Sequence, residues 1–221
     1  MSRARRRTRA VPVLAAVAVT AQACIPPGIS HAPRIRDGTH LAVTLVQQPV
    51  EDDELDPTIA LTLRTASASR RAGRMGQQFG VILPLPAITQ ALEDDDDDFP
   101  VLYLLTGEYY QETEHARHEA RPRGWGLQAS LFSLAPYAKF GWYAERGGVH
   151  VTNAVGAYGG LFGVFTPEVI VWWPYVTLEA APFSHAAGMF HIGGSVAYEV
   201  DEGSFDYGLV VGATTSFGRT R

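Results

Sequence analysis

The sequence predicts an all-β fold, an antiparallel up-and-down β-barrel of about 8–10 strands. Three observations predict it. Long stretches alternate with a period of two, the mark of a strand with two different faces. No run of 18 apolar residues occurs; the longest candidate, 161–176, is interrupted by Thr166, Pro167, Glu168 and Pro174, so a membrane-crossing helix is not expected. The 22 glycines and 14 prolines point to many turns rather than long helices.

The chain divides into three parts. Residues 1–23 read as a secretory signal peptide. Arg3, Arg5, Arg6, Arg7 and Arg9 make a basic start, 10–20 is a short apolar stretch, and Ala21-Gln22-Ala23 offers small residues for cleavage. Residues 24–38 read as a tether that opens on Ile25-Pro26-Pro27-Gly28-Ile29-Ser30. Residues 39–218 carry the alternation and are expected to form the barrel domain.

Cys24 is the single cysteine, so it has no internal disulfide partner, and a free thiol is a liability in an oxidising compartment. Ala21-Gln22-Ala23-Cys24 resembles the lipobox of bacterial lipoproteins, which implies that Cys24 is lipidated and becomes the mature N-terminus. The match departs at Ala21, where leucine is typical, and at Gln22, where a small residue is. The arginine run also faintly resembles a twin-arginine signal, without the apolar residues that should follow the pair.

Charge narrows the function. Charged residues make up 19% of the chain, against roughly 25% in soluble domains. Removing the five leader arginines from the 18 basic residues leaves 13 against 23 acids, a net charge of −10. Such a body is poorly suited to nucleic acid. Lys139 is the only lysine.

Ten strands are expected, near 39–47, 57–67, 78–85, 99–109, 124–134, 137–145, 149–165, 169–180, 189–200 and 204–217. The last is the clearest: Phe205, Tyr207, Leu209, Val211, Ala213, Thr215 and Phe217 share one face, while mostly small residues share the other. Phe190, Ile192, Val196 and Tyr198 do the same before the Asp201-Glu202-Gly203 hairpin. A parity switch at Gly159-Gly160 predicts a bulge. Pro84, Pro86 and Pro174 weaken their strands, because proline donates nothing to a ladder.

Small residues suit the inside of a narrow barrel, which turns the apolar face outward. From Tyr207 to Phe217 a tilted strand rises about 25 Å, the height of a membrane-facing band. Tyr198, Phe205, Tyr207 and Phe217 are the expected aromatic girdle, joined by Trp125, Trp142, Trp172 and Trp173. Lys139, Glu179 and Glu199 then point into the lumen, where Lys139 is expected to pair with carboxylates and plug the barrel.

Loop charge follows the same count. Connections after odd-numbered strands carry Glu51, Asp52, Asp53, Glu54, Asp56, Glu93, Asp94 to Asp98, Glu168, Asp201 and Glu202, and no base. Connections after even-numbered strands, with the tail, carry Arg70, Arg71, Arg74, Arg117, Arg121, Arg123, Arg146, Arg219 and Arg221 against Glu112, Glu114 and Glu119.

On these residues the chain resembles small bacterial outer-membrane β-barrel proteins as a class, well over 99–218 and weakly over 39–98. Gly212 and Phe217 match the layout of their C-terminal assembly signal; Val210, Thr215 and the four residues after Phe217 depart from it. The resemblance implies membrane lipid and the outer-membrane assembly machinery as partners, and a structural or interaction role in the outer membrane. The rival expectation is a soluble, lipid-anchored periplasmic β-barrel or sandwich that folds its apolar face around a hydrophobic ligand.

Catalysis, as a lipid hydrolase on the barrel wall, ranks third. His191, Ser195 and Glu199 share a strand face, but neighbours four apart lie about 13 Å from one another, too far for a triad. Ser184-His185 is a weak pair. The cluster of Glu112, Glu114, His115, His118 and Glu119 is beset by arginines, and Asp94 to Asp98 lacks the spacing of a calcium loop. No enzyme activity, cofactor or metal site is expected.

Overall fold

The computed structural model describes residues 25–35, 38–49, 55–67, 76–85, 105–113, 121–144, 147–159, 166–183 and 186–219. The leader, Cys24 and most charged connections lie outside the described residues, as do Ser184-His185, His115, His118 and the Asp94 to Asp98 run.

Ten antiparallel strands form a closed up-and-down barrel. They are β1 (Gly38–Pro49), β2 (Leu55–Ser67), β3 (Gln77–Pro84), β4 (Thr106–Glu112), β5 (Arg123–Ala129), β6 (Ser133–Ala144), β7 (Gly147–Tyr158), β8 (Val169–Phe183), β9 (Ala186–Glu199) and β10 (Ser204–Arg219). Each strand pairs with its neighbours in sequence. The barrel closes where β1 meets β10, in register from Thr39 opposite Arg219 to Gln47 opposite Val211. Closure leaves neither strand with an open edge.

Alternation decides the faces. On β10, Val210, Gly212, Thr214 and Ser216 are buried, while Phe205, Tyr207, Leu209 and Phe217 are 58%, 77%, 58% and 53% exposed. The apolar face therefore points out. The ligand-binding alternative needed that face turned inward, around a pocket. Inside stand Thr44, Thr62, Arg64, Gln78, Glu108, Gln128, Lys139, His150, Thr177, Glu179 and His191, all buried. They share the interior with an apolar cluster that includes Val46, Ile82, Val171 and Trp173.

Four elements differ in detail from expectation. The expected strand 124–134 stops at Ala129, because Ser130 N donates to Ser133 O at 3.0 Å and Phe132 N donates to Ser130 Oγ at 3.2 Å, closing a tight turn. In place of the expected strand 149–165, β7 ends at Tyr158; Gly159 takes φ of 95° and its N–H bonds to Phe132 O, and residues 160–165, with Gly160 of the expected bulge, lie outside the described residues. The fourth strand runs to Glu112, its Glu108 and Glu112 tolerated because that face meets the lumen. Trp173 is 0% exposed and Trp172 is 46% exposed, so only Trp172 belongs to the outer surface. Adjacent strand residues cannot share a face.

Pro174 lies inside β8 opposite Asn153 of β7, and the β8–β9 register is the same on either side of it, from Trp172 opposite Val196 to Tyr175 opposite Gly193; the irregularity in that pair falls between Ala180 and Phe183.

Candidate functional site

The lumen is occupied by the chain itself. Residues 25–35, expected as a flexible tether, run inside the barrel, with Ile25, Ile29, Ser30, His31 and Ile35 all buried. A main chain without regular structure brings carbonyls into the interior, and each needs a donor. The wall supplies them. Tyr175 Oη donates to Pro27 O at 2.7 Å, Thr214 Oγ1 to Ile29 O at 3.4 Å and Tyr110 Oη to Pro33 O at 3.1 Å. Arg64 Nη1 donates to Ser30 O, and Lys139 Nζ donates to both Gly28 O and His31 O.

Those five side chains come from β2, β4, β6, β8 and β10, one from each even-numbered strand. The segment is thus held from all round the barrel.

Its own side chains add three anchors. Ser30 Oγ donates to Glu108 Oε2 at 3.1 Å. His31 Nδ1 lies 2.9 Å from Ala32 O, which can only accept, so Nδ1 carries the proton. The Tyr137 hydroxyl lies 2.9 Å from His31 Nε2 and donates to Glu108 Oε1 at 3.1 Å, and Nε2 itself sits 3.5 Å from Glu108 Oε1. The imidazole also tilts against the Tyr110 ring, with centroids 4.6 Å apart. Burial holds this imidazole well below its usual range, at about 4, with the Lys139 charge acting the same way and Glu108 opposing.

Gly28 fixes the bend. Its φ is 75°, and a Cβ there would stand 2.7 Å from the Tyr137 ring and 2.8 Å from Lys139 Cε. Only glycine combines that backbone with that contact.

Toward the rim where β9 turns into β10, the lumen becomes apolar: Val46, Ile82, Tyr158, Val171, Trp173 and Val210 pack in one cluster with Ile25 and Ile29. Toward the other rim it is polar. There a cavity of about 20 Å³ is bordered by His31, Arg64, Gln78, Glu179 and Ser216, room for roughly one water.

The expected lumen residues are placed as follows. Lys139 is 0% exposed and central. Its hydrogen bonds go to main-chain carbonyls of residues 25–35, where carboxylate partners were expected. Glu179 is buried and accepts from Tyr143 Oη at 2.6 Å, which also lies 3.3 Å from His150 Nδ1. Glu199 is half-buried at the end of β9. Of the expected girdle, Phe205, Tyr207 and Phe217 face out, and Tyr198 packs on Phe205 with ring centroids 4.8 Å apart. Trp125 and Trp142 lie at the rim of Phe217, since β5 begins there and β6 ends there.

His191 is committed to two threonines, Thr177 at 2.8 Å and Thr214 at 3.0 Å, and does not reach a serine. Among the described residues no group of three His, Cys, Asp or Glu side chains could hold a metal ion. Sequence reasoning missed Arg64, Glu108, Tyr110, Tyr137 and Tyr175. The available signal was parity: each stands on the inward face of its strand.

No protein-family model matches the chain, and no curated protein matches it in sequence. What the fold and site define is a ten-stranded β-barrel filled by its own N-terminal segment.

Proposed function

We propose that this chain is an exported outer-membrane-type β-barrel with a structural or interaction role, its lumen closed by residues 25–35. The observation that carries the reading is the inversion of polarity. Leu41, Leu63, Phe79, Trp142, Leu178 and Leu209 are exposed on the outside, while Arg64, Lys139, His150 and His191 are buried inside. Water would penalise the first set at roughly 25 cal/mol per Å² of apolar surface, whereas lipid would not. Trp125, Trp142 and Phe217 near one rim, with Phe205 and Tyr207 near the other, suit the two interfaces of a bilayer. The filled lumen favours a closed barrel over a pore.

In this reading the leader is removed after Ala23 and the barrel wall holds the protein in the membrane. Acylation of Cys24 adds a lipid to a body already embedded. Mass spectrometry of the mature N-terminus reads that part: a diacylglyceryl mass on Cys24 supports it and an unmodified Cys24 removes it.

The test of residence is direct. The full-length mature chain should need detergent to stay dispersed, should migrate faster unheated than boiled on a gel, and should fractionate with outer membranes. A protein that remains monomeric in buffer without detergent would overturn the reading.

A further inference from the structure

We infer that the lumen is a peptide-binding site, filled by the chain's own residues 25–35, and that it accepts a segment of the same chemistry in trans. The inference rests on the lumen's geometry and holds wherever the barrel resides.

The grip is of a kind that recognises peptide. Six carbonyls in seven residues, from Pro27 to Pro33, each accept from a wall side chain. Such contacts read main chain, which any peptide carries. Selectivity comes from fewer points. Gly28 is required by its φ and by the Tyr137 ring; Ser30 and His31 address Glu108 and Tyr137. Ile25 and Ile29 enter the apolar end, against Trp173, Tyr158 and Val210. An apolar floor with a few converging polar groups is how a ligand pocket is built.

The wall without the segment would be costly. Lys139, Arg64, Tyr110 and Tyr175 would each face the lumen without an acceptor that they now have, and a buried donor left unmet is destabilising. Only residues 36 and 37 lie between the end of the segment at Ile35 and the start of β1 at Gly38. The ligand class that fits is a segment of about ten residues with a Pro-Gly turn, apolar side chains four apart around it and no acidic residue to meet Glu108.

The experiment uses the full mature chain with a site-specific protease sequence inserted between Arg36 and Asp37. After cleavage, a fluorescent synthetic peptide of residues 25–36 is added and its anisotropy followed. The expected result is saturable uptake by cut protein, none by uncut protein, and displacement by unlabelled peptide. A Gly28→Ala peptide should compete at least tenfold less well, the effect of ~1.4 kcal/mol. Three results would overturn the inference: no exchange after cleavage, equal competition by the Gly28→Ala peptide, or loss of the barrel's thermal transition on cleavage alone. In the last case the segment is part of the fold and not a ligand. Detergent dependence of the uncut protein is read separately, so failure here leaves the membrane reading standing.

Discussion

Lys139 and His31 meet at the centre of the lumen as cation and main-chain carbonyl: Lys139 Nζ donates to His31 O, and to Gly28 O three residues earlier. One side chain thereby closes both ends of the turn at Gly28-Ile29-Ser30-His31, whose His31 N–H also bonds back to Gly28 O at 3.4 Å. Lys139→Met should leave His31 O without its donor and Gly28 O with only the long bond from His31 N–H, at about 1–3 kcal/mol, partly offset because a buried cation is removed. We expect faster amide exchange in residues 25–35 with the β-ladders still protected, checked by hydrogen exchange with mass spectrometry. Equal protection in both proteins would show that Lys139 does not hold the segment.

Gly28→Ala should be worse than Gly203→Ala, although both positions have positive φ. At Gly203 nothing stands within 4 Å of a new Cβ, so only the backbone term of about 1 kcal/mol applies. At Gly28 the Tyr137 ring adds a clash, for a total of about 2–4 kcal/mol. Thermal unfolding of the two variants side by side reads the difference.

Acid should loosen the lumen segment. The seated His31 binds its proton only near pH 4, whereas a released chain binds it near the ordinary value of 6.5. Between those values the released form holds more protons than the seated form, so seating weakens as pH falls through that window and is fully retained above it. Release at pH 5 should exceed that at pH 7 on the order of tenfold, measured by exchange rates of 25–35 corrected for intrinsic chemistry. His31→Asn should flatten the dependence.

The outer face predicts a polarity test. Ile192 lies midway along β9 and is 48% exposed. Ile192→Arg should cost about 2–4 kcal/mol in a bilayer and little in a water-exposed setting, where an arginine at the surface is ordinary. Refolding yields into vesicles, against yields in mild detergent, separate the two.

Trp172 and Trp173 predict a spectroscopic split. In proteins reduced to one tryptophan, brominated acyl chains should quench Trp172 and leave Trp173 dark to the quencher, because the latter is enclosed with Tyr158 at a centroid distance of 5.7 Å. Equal quenching would contradict the outward orientation of the apolar face.

Much of this wall is legible in the sequence. Phe190 to Tyr198 and Phe205 to Phe217 alternate so cleanly that strand, face and hairpin follow from the pleat. Lys139 beside Phe140 is inward by the same parity. Its partners were not legible, because they are carbonyls, and every residue of a sequence carries one. For that reason a proline-rich segment of eleven residues, 25–35, reads as a tether. Its hint was faint: Ile25 and Ile29 four apart, and Ile35 beyond. The turn at 130–133 was hidden for another reason, since Ser130 and Leu131 suit a strand as well as a turn until Ser133 supplies the bond.

The seam between β1 and β10 has a consequence for the order of assembly. β1 begins three residues after Ile35, and its partner β10 is the final strand of the barrel. The first part of the described chain is therefore enclosed by the last, and the cylinder cannot be zipped until synthesis has delivered both. A sheet that curls around residues 25–35 and seals afterwards sets them among Tyr110, Tyr137 and Tyr175 as it closes, so the last pair of strands to meet is also the one that completes the enclosure.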